Sequence, residues 1–169
     1  MRPAPERRAS PPQIEIRTQS PLWEAQPLAT QTVHDAIATA AAELSTIDGE
    51  VCIVLTDDLA IARLNRHWRG IDKPTNVLSF PASGQMVGQN PRLLGDIIIA
   101  YQTLERECET ETRLFLHHLA HLVIHGFLHL SGYDHETDGQ ADEMEALESK
   151  IMSRLNMPDP YVERDLGDA

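Results

Sequence analysis

Positive charge is scarce in this 169-residue chain: 14 Lys and Arg stand against 26 Asp and Glu, a net charge of −12. Taken alone, that argues against a nucleic-acid binder, because affinity for phosphate backbones comes mostly from Lys and Arg. The shortage is uneven. Residues 1–73 carry 8 basic and 10 acidic side chains, and residues 74–169 carry 6 and 16. Acidity is concentrated in the C-terminal half, which leaves room for a local basic patch elsewhere. Cysteine is almost absent. Cys52 and Cys108 are far apart and carry no CxxC spacing, so free buried thiols in a reducing compartment are expected. No apolar run is long enough to span a bilayer. The start, MRPAPERRASPP, has charge and prolines but no apolar stretch of a secretory signal. It reads as a disordered Pro-rich tail over residues 1–12. A cytoplasmic protein with neither membrane nor DNA as a partner is the expectation.

What is present is alternating and periodic hydrophobicity. QIEIRT (Gln13–Thr18) alternates like an edge strand. Leu28–Leu44 is Ala-rich with helical spacing, and Asp48-Gly49 marks a turn. EVCIVLT (Glu50–Thr56) reads as a buried strand, and Asp57 or Asp58 as the cap of a helix to about Trp68. Pro74 forbids helix in the loop Gly70–Thr75. Asn76–Phe80 and Leu94–Ala100 read as strands either side of a polar loop, Ala82–Arg92, with a short helix to follow. Thr112–Leu130 is apolar almost all round, as in a central buried helix. Gly132 fits a left-handed cap at its end, and Asp138–Leu155 an acidic amphipathic helix. The order predicts an α+β fold: one domain over residues 13–160, a small mixed sheet of about four strands packed with about five helices. An acidic tail, residues 161–169, follows.

Six of the eight histidines lie between His117 and His135. His117, His121, His125 and His129 recur every four residues along one helix face. His121 and His129 sit roughly 12 Å apart along the axis and are too distant to share an ion. An i, i+4 pair lies about 6 Å apart along the axis and can chelate. A third ligand must come from beyond the helix. The chain turns at Gly132, and His135 follows. The favoured set is therefore His125, His129 and His135, bound near the negative end of a helix dipole. Three neutral imidazoles suit one Zn²⁺ and leave a fourth position for water, the mark of a catalytic rather than a structural site. His121 fits a supporting or core position one turn away, and His117 and His118 structural ones. HGFLH matches the spacing of HExxH proteases, but Gly126 stands where their Glu would act as base. That glycine either clears space beside the metal or allows helix–helix packing. Peptide hydrolysis is disfavoured in both cases.

The densest basic cluster is IARLNRHWRGIDKPTNVLSFP (Ile61–Pro81). Arg63, Arg66 and Arg69 recur every third residue on one helix face, Lys73 follows in the loop, and His67 and Trp68 interleave them as candidate base-stacking groups. A solvated helix face is the plain alternative. Paired with a metal site, however, a guanidinium is equipment for phosphodiester cleavage. Position alone does not say which arginine points inward.

HGFLHLSGYDH (His125–His135), RGIDKPTNVLSFP upstream and LGDIIIA between them resemble the YbeY-type endoribonucleases, bacterial rRNA maturation factors. The resemblance covers roughly Ile53 to Tyr161. It implies a single-strand-specific, zinc-dependent endoribonuclease that matures small-subunit rRNA at its 3′ end and serves ribosome quality control. It implies metal ligation by His125, His129 and His135 and a catalytic role for Arg69; Arg63, Arg66 and Lys73 stay candidate substrate contacts on the strength of the basic stripe alone. Single-stranded rRNA, the small ribosomal subunit and its assembly proteins are the implied partners. Asp134 either orients a ligand or water or caps its loop. Two other readings stay in view: a non-catalytic assembly factor with a structural zinc, and a metallohydrolase of small phosphoesters or amides.

Overall fold

Alternation decides which way each strand faces. The computed structural model describes residues 11–45, 48–82 and 92–162. Among them the chain forms β1 (Gln13–Thr18), α1 (Ala29–Leu44), β2 (Glu50–Thr56), α2 (Asp58–Arg69), β3 (Val77–Pro81), β4 (Leu93–Ala100), α3 (Tyr101–Glu111), α4 (Phe115–Leu130) and α5 (Asp138–Arg154). A short 3-10 turn, Pro21–Ala25, joins β1 to α1; its start is marked by Ser20-Pro21, where the Ser20 hydroxyl caps it by accepting from the Leu22 amide. The strands form one mixed sheet in the order β1-β2-β4-β3. β1, β2 and β4 run parallel, and β3 is antiparallel to β4. The α+β fold with four strands and five helices is the one expected, with β1 at an edge. Most of the proposed tail (residues 1–10), most of the polar loop (83–91) and residues 163–169 lie outside the described residues.

Val51, Ile53 and Leu55 of β2 and Ile97 and Ile99 of β4 point to one face, where α1, α4 and Met144 of α5 complete the main core. The intervening Val54 and Ile98 point to the other, where Ile61 of α2 packs with Leu78 and Ala100. α2 is thus pinned over the β3–β4 side of the sheet. It begins with Asp57, whose carboxylate accepts from the Ala60 amide, and ends at Gly70 in the left-handed region. The buried Asn65 donates to the Lys73 carbonyl at 2.9 Å and folds the following loop back onto the helix. At the far end of the core, Trp23 packs edge-on against Tyr101 and Phe115 and donates its indole N–H to the Thr56 carbonyl.

The expected helix from Thr112 starts later. Thr112 adopts φ +53 as the C-cap of α3, and its segment turns the chain so that α4 begins at Phe115. α4 is the central helix that the apolar run predicts, with Leu119, Val123, Ile124, Phe127 and Leu128 buried. Gly126 is a packing position, but against the sheet rather than against another helix. A Cβ there would meet Ile97 Cγ2 and Ser79 Oγ, each at 2.9 Å. The bare backbone lets α4 lie directly on β3 and β4.

Gly126→Ala tests this contact. The gain of up to about 1 kcal/mol in helix propensity competes with an overpacking cost of about 1–3 kcal/mol. Ile97 is a buried, β-branched residue and has little room to yield. A net loss of stability is expected in urea unfolding, with a larger loss for Gly126→Val.

Candidate metal centre

The site begins with where α4 stops. The Ser131 amide closes the helix on the Phe127 and Leu128 carbonyls, and Gly132, at φ +97, reverses the chain. The Tyr133 amide then returns to the Leu128 carbonyl. This hairpin brings His135 back alongside the last two turns of α4. Its ring centroid lies 5.0 Å from that of His129 and 5.8 Å from that of His125. One ligand nitrogen from each of the three residues lies within 4.8 Å of the others. The rings of His125 and His129 are partly buried, and His135 is exposed.

Hydrogen bonds behind two of the rings determine what they present in front. His129 Nδ1 lies 3.0 Å from the Tyr133 carbonyl, which can only accept. His125 Nδ1 lies 2.6 Å from Glu148 Oε1. Both rings, when neutral, therefore carry their proton on Nδ1, and both Nε2 atoms present a lone pair. These atoms face one another at 3.1 Å, close to the spacing of about 3.3 Å for two nitrogens of a tetrahedral zinc site. A shared cation turns their mutual repulsion into attraction. The three imidazoles can hold one metal ion.

Glu148 was missed in the sequence. It is completely buried and accepts from three side chains: His125 at Oε1, and His121, at 2.9 Å, and Tyr161 at Oε2. Burial pushes its carboxyl pKa up, but the bonds from His121, His125 and Tyr161 outweigh this and hold it at about 2. Burial, followed by the Glu148 carboxylate, raises the Tyr161 phenol, which stays protonated as a donor. The signal for Glu148 lay in α5: it falls in the apolar stripe of Met144, Leu147, Ile151 and Met152. A carboxylate there needs a buried partner. Tyr161 sits at the start of the segment read as tail, held by the Arg113 bond to the Pro160 carbonyl and by its own amide on Asp159.

His121 thus supports the site through Glu148. His118 is buried, with Nε2 3.3 Å from Glu107 Oε1, and Glu107 also accepts from Asn76. His117 is half-buried. Asp134 caps its loop: Oδ1 accepts from the His135 amide at 2.8 Å.

A cleft of about 630 Å³ opens over the three histidines, walled by β3, the end of α2 and the loop after Gly132. Arg69, Trp68 and Asp134 line it together with His125, His129 and His135. Arg63, Arg66 and Lys73 are exposed and lie outside this lining. Among the described residues none of Arg63, Arg66, Arg69 and Lys73 is ion-paired, whereas Arg17, Arg106, Arg113, Lys150 and Arg154 each have an acidic partner.

Imidazoles ligate only when neutral. Burial, and then the neighbouring His125 and His135, lower the His129 pKa, so its neutral form persists below the usual value of about 6.5. Protons compete for the ligands as pH falls, and Glu148 is still ionised there. Bound metal should therefore be lost by imidazole protonation as pH falls below the ordinary imidazole value of about 6.5, as followed by metal content after dialysis. Glu148→Gln should weaken metal binding at pH 7 by about 10- to 100-fold, measured by competition with a chromophoric chelator, without loss of helicity.

The family model described as endoribonuclease YbeY matches residues 13–156, so the match also takes in β1 and α1. An endoribonuclease YbeY of Nitrobacter winogradskyi is 54% identical over 160 residues, covering 91% of this chain and 84% of that one. Its counterpart in a Bradyrhizobium strain is 51% identical over 161 residues, covering 91% and 95%. A solution structure of a Thermotoga maritima protein shares the fold at a TM-score of 0.50 and 24% identity, over 88% of this chain and 99% of that one. With the match running from the first strand through the last helix, this chain belongs to the YbeY endoribonuclease family.

Proposed function

We propose that this protein is a single-strand-specific, zinc-dependent endoribonuclease that matures small-subunit rRNA at its 3′ end and takes part in ribosome quality control. As a member of the family it is an endoribonuclease, which hydrolyses phosphodiester bonds of RNA. The observation that carries the reading is the cleft itself, where three imidazoles and an unpaired guanidinium share one wall-to-wall space. Neutral nitrogen donors, two of them already at a tetrahedral spacing, favour zinc. When bound, such an ion supplies Lewis-acid chemistry, acidifying water and polarising a phosphoryl oxygen.

The chain's own groups do the rest. His125, His129 and His135 hold the ion, and Glu148 and the Tyr133 carbonyl fix the first two rings so that no reorientation is needed on binding. Arg69, with no acidic partner among the described residues, grips the phosphate through paired N–H donors and meets the charge that develops on its oxygens. Arg63, Arg66 and Lys73 line the approach to that cleft on the exposed side of α2 and its loop, where they draw in the RNA backbone. Asp134 is the one carboxylate among the described residues of the cleft, and its Oδ1 is engaged by the His135 amide. The small ribosomal subunit and its assembly proteins present the substrate in the cytoplasm.

Purified, zinc-loaded protein is expected to cut unstructured RNA and to spare duplex RNA. Chelation should abolish cutting, and added Zn²⁺ should restore it. His125→Ala and Arg69→Glu should each lower the rate by at least about a hundredfold with an unchanged circular dichroism spectrum. Cutting that survives both substitutions would mark a contaminating nuclease and sink the reading.

A further inference from the structure

We propose that Trp68, with Phe80 beside it, is a stacking site for one unpaired nucleobase next to the phosphate held by Arg69; this rests on the function proposed above. The chain has two tryptophans. Trp23 is 3% exposed and hydrogen-bonded in the core, whereas Trp68 is 64% exposed. An exposed indole that lines the cleft beside a second aromatic ring is available to stack on a planar ligand. The indole is held in place nonetheless. The His67 ring meets it edge-on, with centroids 4.9 Å apart and planes at 87°. Phe80 of β3 lies 5.9 Å away on a plane tilted by 54°. Trp68 and Phe80 therefore form an open aromatic corner in the same cleft as Arg69 and the three histidines.

Their chemistry names the occupant. Trp68 and Arg69 are consecutive residues in the last turn of α2, and they offer a π face and a guanidinium. A nucleotide presents the matching pair, a base and a phosphate. Phe80 and Pro81 add apolar surface and no side-chain hydrogen-bond donor or acceptor, so the corner accepts any base with little preference among the four. A base inside a duplex already has neighbours on both faces and is not free to enter. The stacking site thereby gives a physical reason for single-strand specificity, separate from the metal and the arginine.

The test uses the zinc-loaded, full-length protein and a 2′-O-methyl single-stranded oligoribonucleotide, which is not cut, as the binding probe. Trp23 is shielded in the core, so quenching of intrinsic fluorescence by the oligonucleotide reports on Trp68. Trp68→Ala should weaken binding and raise KM for RNA by about five- to a hundredfold, with kcat within about twofold. Trp68→Phe should recover most of the loss. Probes with a single abasic site supply the discriminating measurement. Removing one particular base should cost the wild type as much as Trp68→Ala does, and should cost Trp68→Ala nothing further. If the wild type cuts RNA but Trp68→Ala matches it in KM and in abasic sensitivity, the stacking site is refuted while the proposed function stands. An unchanged KM with loss only of a protein partner would give the indole to that partner and also refute it. If the wild type neither binds nor cuts single strands, the underlying function fails first.

Discussion

Two nitrogen lone pairs held 3.1 Å apart are the condition around which the rest of this molecule is organised. With both rings neutral they repel, and the protein must hold them there against that repulsion. It does so with groups that lie behind the rings. The Tyr133 carbonyl depends on the reversal at Gly132, and the Glu148 carboxylate depends on the docking of α5 against α4. Burying an ionised carboxylate is costly unless it is fully hydrogen-bonded. Glu148 meets that requirement with three donors from two different elements. The histidine pair, the carboxylate and the C-terminal Tyr161 therefore form one unit, and disturbing any member exposes the cost of the others.

How much of this could be read beforehand follows from which signals are local. The i, i+4 spacing of His125 and His129 is a property of any α-helix, and a glycine between them and His135 announces the return of the chain, so the trio was legible. The strands were legible because alternation and β-branching coincide in β2 and β4. The division at Thr112 was not, because polar residues with moderate helix propensity (ETET) run straight into an apolar helix with no proline or glycine at the break. Glu148 escaped for another reason. Its histidine partners are 23 and 27 residues away and Tyr161 is 13 away, and its charge blends into an acidic helix unless its place in the apolar stripe is noticed. Gly126 was ambiguous because the residues that crowd it, Ile97 and Ser79, come from strands whose position over α4 no local pattern specifies.

The charge distribution reconciles an acidic chain with an anionic substrate. Most described arginines and lysines outside α2 are neutralised by partners such as Glu43, which takes both Lys150 and Arg154. The four cations on α2 and its loop keep their fields, and α2 points its C-terminal end at the cleft with three of its last residues basic or imidazole. Net charge thus describes the molecule poorly, and where cations are left unpaired describes it well.

The close seating of α4 on the sheet at Gly126 has a consequence for variation. One wall of the cleft, β3, meets the helix carrying two of the histidines where the Ser79 side chain lies against the bare Gly126 position. That distance is a hard stop. A wider or narrower opening can come only from remodelling the opposite lip, where α2 ends and the chain bends after Leu130. Divergence in substrate choice should accordingly accumulate along that lip, and the helix–strand seam should stay monotonous.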